Sequence, residues 1–128
     1  MEDFTINGLA AELEQLMDTA EYAQSQIAQL LKSKIEQHGA ASVVEVLEAA
    51  IPKDASIGEM MVYRSGKLTM LYARVPPRFR SAVHDHTVFA CIAQLTGAET
   101  SVVYEPAEDG SLRVAESLTS HPGEVTTL

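Results

Sequence analysis

The spacing of apolar residues changes period once along this chain, and that change constrains the fold more than any other feature. Between residues 8 and 50 the apolar residues recur at helical spacing. Leu9, Leu13, Leu16, Met17 and Ala20 fall on one stripe, and Ile27, Leu30, Leu31 and Ile35 repeat the pattern. Asn7 is the expected N-cap of the first helix. His38-Gly39 reads as the end of the second, because glycine accepts the left-handed conformation that closes a helix. Ser42 and Glu45 have the spacing of a capping box, which would open a third helix carrying Val43, Val46, Leu47 and Ala50. Pro52 stops it. The polar faces, with Glu12, Glu14, Glu36, Glu45 and Glu48, read as solvated surface.

From Ile57 onward the segments are short, rich in Val, Thr, Tyr and Leu, and separated by turn residues. Strands are expected near 58–64, 67–75, 81–86, 88–95, 98–105, 111–118 and 123–128. Ser65-Gly66 is a candidate two-residue hairpin turn; Pro76-Pro77, Gly97 and Glu108-Asp109-Gly110 mark further breaks. Many short strands at close spacing suggest a barrel or a two-sheet roll. The expected class is therefore mainly β (α+β). A helical region over 1–54 and a β region over 55–128 together make one domain, since 128 residues leave no room for two.

Composition narrows the function classes. With 46% hydrophobic and 21% charged residues, the chain is not disordered throughout. No apolar run approaches the roughly 18–20 residues needed to cross a bilayer as a helix. A net charge of −9 repels phosphate backbones, so no nucleic-acid partner is expected. The acidic start Met1-Glu2-Asp3 lacks the features of a secretory signal, and a single cysteine forms no intrachain disulfide. The expected compartment is the cytoplasm.

The segment richest in chemistry is Ser81-Ala82-Val83-His84-Asp85-His86-Thr87 and its continuation to Gly97. Side chains two apart on a strand share a face, so His84 and His86 can converge on one metal ion while Asp85 points away. His84-Asp85-His86-Thr87, the β segment after it and Gly97 resemble the first metal-binding motif of the cupins, and within them are most similar to cysteine dioxygenase and its relatives. Met61 to Met70 resembles that family's hairpin, and the N-terminal helices fit its layout.

The resemblance implies a double-stranded β-helix holding one divalent metal ion, Fe(II), with His84 and His86 as two of three histidine ligands. It implies a metal-dependent dioxygenase acting on a small, thiol-containing substrate and dioxygen. The alternative is a non-catalytic cupin-like module that binds a small molecule.

Cys91 stands five residues after His86, where many cupins place a glutamate ligand. Mammalian cysteine dioxygenases carry a cysteine at this spacing, cross-linked to a tyrosine, which makes Cys91 a candidate catalytic residue; a buried structural cysteine is the other reading. Val88, Phe89 and Ala90 depart from that family's pattern, and Cys91 to Gly97 is one residue shorter. The arginine that holds the substrate carboxylate in the family falls near Glu59 or Met60 here, with Arg64 beside the turn and Tyr72 and Arg74 on the next strand. Pro122-Gly123-Glu124 resembles the opening of the second cupin motif, whose histidine is expected beyond Leu128, so the barrel reads as truncated. His121 and His38 read as a surface-turn residue and a helix-end residue. An open β-helix leaves apolar surface uncovered, which implies pairing with another copy, a homo-oligomer, or poor solubility.

Overall fold

The computed structural model describes residues 3–19, 21–52, 59–75, 78–80 and 89–127. They form an α+β structure of three helices and three two-stranded antiparallel sheets. The helices are α1 (Ile6–Met17), α2 (Gln24–His38) and α3 (Ala40–Ala49). The strands are β1 (Glu59–Arg64), β2 (Thr69–Ala73), β3 (Cys91–Ala93), β4 (Glu99–Pro106), β5 (Leu112–Ser120) and β6 (Val125–Thr127). The expected strand at 81–86 lies outside the described residues. Among the described residues, no helix is long and apolar enough to cross a membrane.

The helix boundaries correct two expectations. The N-cap of α1 is Thr5, not Asn7: its Oγ1 accepts the Gly8 N–H at 2.9 Å, and its extended backbone aims the hydroxyl at the open end of the helix. The third helix begins at Ala40, two residues before Ser42, because Gly39 links α2 to α3 directly. At φ 85° Gly39 takes a backbone turn that a side chain would oppose. Its N–H closes α2 on Ile35 O at 2.7 Å and its carbonyl accepts from Val43 at 3.1 Å, so one residue serves both helix ends.

The core lies in the helical region. Phe4, Leu9, Leu13, Ile27, Val43 and Leu47 form one buried cluster, and all but Phe4 belong to the apolar positions read from the 3.6-residue period. Val62, Leu68, Met70 and Tyr72 of the first hairpin pack against it, as do Phe89, Cys91 and Leu95.

Strands β1 and β2 pair from Glu59↔Ala73 to Arg64↔Thr69. Their loop runs over Ser65 to Leu68, four residues instead of two, closed by Ser65 N–H on Leu68 O at 2.8 Å. Met61 pairs Leu71 and Tyr63 pairs Met70, which leaves Val62 as a bulge. The bulge breaks the two-residue alternation. Met61 stays on the outer, exposed face with Leu71, while Val62 packs on the core and Tyr63 reaches α1. A second bulge interrupts β4–β5, where Val103 pairs Glu116 but Tyr104 pairs Val114, leaving Ala115 unpaired.

Candidate functional site

His84, Asp85, His86 and Thr87 lie outside the described residues, so the site is approached from its flanks. On one flank, β3 continues the segment that carries the histidine pair. On the other, β6 follows the turn His121-Pro122-Gly123-Glu124. The two strands pair antiparallel, with Cys91 opposite Thr127, Ile92 opposite Thr126 and Ala93 opposite Val125. The ladder extends into the turn: Gly123 N–H donates to Gln94 O at 2.8 Å, and Gln94 N–H donates to Glu124 O at 3.0 Å. Gly123 has φ 90°, which lets the chain reverse while its N–H still faces Gln94. Glu124 Oε1 closes the turn by accepting His121 N–H at 2.8 Å.

Cys91 opens β3, half-buried and packed against the helical core. Burial pushes its thiol above the ordinary cysteine range, so it stays protonated at neutral pH and is a poor nucleophile. His121 is exposed in its turn. His38, the last residue of α2, stands edge-on to Phe4 with ring centroids 5.6 Å apart. Among the described residues, no group of three or more His, Cys, Asp or Glu side chains converges where it would hold a metal ion. The expected ligands His84 and His86 lie outside the described residues.

The structure also assigns work to residues that the sequence left as solvated surface. Glu14 on α1 accepts two hydrogen bonds at one carboxylate oxygen, from Tyr63 Oη at 2.6 Å and from Ser65 Oγ at 2.7 Å. Glu48 on α3 is held by Arg74, whose Nε lies 3.1 Å from Oε2, and accepts Tyr72 Oη at 2.9 Å. Hydrogen bonds from Tyr63 and Ser65 lower the Glu14 pKa, and those from Arg74 and Tyr72 lower that of Glu48. The partners move the other way. Tyr63 is raised by its bond to Glu14, Tyr72 by burial and then by Glu48, and Arg74 by Glu48.

Lys67 pairs with Asp18, and Lys34 with Glu12 at 2.8 Å. Two helix carboxylates thus fasten the two strands of one hairpin, one to each. Tyr72 and Arg74 face α3 through Glu48, and Arg64 is exposed. No periodicity argument could have found these clamps, because a carboxylate on a polar helix face looks the same whether water or a tyrosine meets it.

Protein-family models, characterised proteins and solved structures give no match to this chain.

Proposed function

We propose that the chain is a metal-dependent dioxygenase of the cysteine dioxygenase-like cupins, in which His84 and His86 hold one divalent metal ion, Fe(II), and a small thiol and dioxygen are the reactants. The observation that carries this reading is the β3–β6 ladder. β3, downstream of the histidine pair, lies beside β6, which follows the Pro122-Gly123-Glu124 turn. Each strand adjoins one of the motifs that carry the resemblance, and the two pair although some thirty residues separate them in sequence. A double-stranded β-helix is part of the same proposal, since that fold joins strands remote in sequence into antiparallel ladders.

Bound Fe(II) would supply open coordination positions and redox chemistry for a thiol and dioxygen. The chain's own contribution is narrower. Neutral imidazoles of His84 and His86 would bind the ion, and downstream of them Phe89 and the protonated Cys91 pack against the helical core and anchor the start of β3. The test is metal content after anaerobic loading with Fe(II), together with oxygen uptake in the presence of cysteine. Wild type retains about one ion per chain, and His84→Ala and His86→Ala lose affinity by about tenfold or more. Equal retention by both variants overturns the reading.

One observation favours the non-catalytic alternative: Arg74, a cation of the hairpin, is engaged by Glu48 and so is not offered to a substrate carboxylate. A binding module predicts ligand-induced thermal stabilisation that survives chelation of metal. The enzyme reading predicts that chelation abolishes it.

A further inference from the structure

Asn7 is the only asparagine in the chain, and a glycine follows it. Asparagine is chemically labile, and most so before glycine. A side chain on the following residue shields its backbone nitrogen; glycine has none, so that nitrogen can reach the side-chain amide carbon of the asparagine. Asn7 and Gly8 are both exposed, on the first turn of α1.

A helix protects its backbone least in its first turn, because the leading N–H groups have no acceptor within the helix. Here Gly8 N–H donates to Thr5 Oγ1 at 2.9 Å, and Leu9 N–H donates to Thr5 O at 3.1 Å. One threonine therefore holds both N–H groups that follow Asn7. The close fit needs glycine. A Cβ at position 8 would lie 2.6 Å from Thr5 Oγ1, so a side chain there displaces the hydroxyl. The residue that admits the cap is the same one that makes the dipeptide labile.

We propose that Asn7-Gly8 is a deamidation site whose rate is set by the Thr5 cap. When the first turn frays, Gly8 N gives its proton to hydroxide and bonds to Asn7 Cγ. The bond from Cγ to the side-chain nitrogen breaks, and that nitrogen leaves as ammonia with a proton from water. Water then opens the five-membered imide at one of its two carbonyls. The product is aspartate or isoaspartate at position 7, with one more negative charge. In the closed turn neither condition is met. The Gly8 N–H is held by Thr5, and a helical backbone at Asn7 keeps the nitrogen out of line with Cγ.

The two products act on the fold in opposite ways. Aspartate in the first turn is favoured by the helix dipole. Isoaspartate carries the chain through its side chain and inserts an extra backbone carbon between positions 7 and 8. The spacing from Thr5 to Gly8 and Leu9 then no longer fits. Phe4 and Leu9, on either side of the break, belong to the buried cluster, so this product loosens one edge of the core.

The experiment is incubation of the full chain at mildly alkaline pH, with peptide mass mapping of position 7 over time. Thr5→Ala converts Asn7 about fivefold faster than wild type, the gain in frayed population expected from losing a cap. Thr5→Ser keeps the hydroxyl and converts at the wild-type rate. Ile35→Val, buried in α2 and comparable in its cost to stability, also keeps that rate, which separates the cap from general loosening. The chain unfolded in urea converts fastest. Far-UV circular dichroism checks that each variant is folded during the incubation. Four results overturn the proposal: an unfolded chain no faster than the native one, equal rates in wild type and Thr5→Ala, Thr5→Ser as fast as Thr5→Ala, or equal acceleration in Ile35→Val.

Discussion

The helical region and the β4–β5 hairpin are built from similar apolar residues and use them in opposite ways. Among the described residues, every buried hydrophobic side chain lies between Phe4 and Ile51, whereas nine of the ten large exposed ones lie between Met61 and Leu118. Three helices in sequence can turn their stripes toward one another with only a short link or a single glycine between them, so local sequence suffices to bury them. A hairpin has two faces and only one body to lean on. The difference teaches that burial here follows the number of layers available to each element, not its hydrophobicity.

The largest effects should separate the two regions. Leu13→Ala removes a buried side chain from the cluster and should cost about 2–5 kcal/mol in urea unfolding. Val114→Ala, exposed on the hairpin, should stay within about 0.5 kcal/mol. Similar costs at the two positions would break the comparison.

The next effect sharpens the helical side. Thr5→Ala should cost about 1 kcal/mol because Thr5 caps α1. Asn7→Ala should cost clearly less, since Asn7 lies inside the helix.

A smaller effect tests the join between regions. Glu14 and Glu48 have depressed pKa values in the folded state, so their contribution is complete at neutral pH. It is lost as pH falls through and below the ordinary glutamate range. Tyr63 and Tyr72 are raised, so their contribution is lost as pH rises through their folded values above the ordinary tyrosine range. Thermal melts of a Glu14→Gln, Glu48→Gln double variant should show a flatter acid limb than wild type. An identical limb would mean the clamps contribute nothing.

The smallest effect concerns Cys91. Its protonated, half-buried thiol should react with an alkylating reagent roughly several-fold more slowly in the native protein than in urea, as followed by mass spectrometry.

Much of the helical region was legible beforehand. Of the expected apolar positions, Leu9, Leu13, Ile27, Val43 and Leu47 lie in the core cluster beside Phe4; Leu16, Met17, Leu30, Leu31 and Val46 are partly buried against it; and the break at Gly39 is where α2 ends. The caps were misplaced because Asn7 and Ser42 satisfy the sequence rule for a cap while Thr5 and Gly39 satisfy the geometry. Of the candidate site residues, Cys91 was placed on a strand and is found at the start of β3; His84 and His86 lie outside the described residues. Glu14 and Glu48 read as surface in the sequence because a hydrogen bond to a tyrosine many residues away leaves no trace in local spacing.

The sequence by itself determined the change of period, the helical stripe and the −9 charge, because each depends only on residues near one another or on a sum over all of them. The tertiary structure alone decided the bulges at Val62 and Ala115. Alternation assigns faces only until one extra residue reverses the phase, and whether it does depends on how the partner strand pairs. That reversal places Tyr63 on Glu14 and keeps Glu116 off the face that carries Val114.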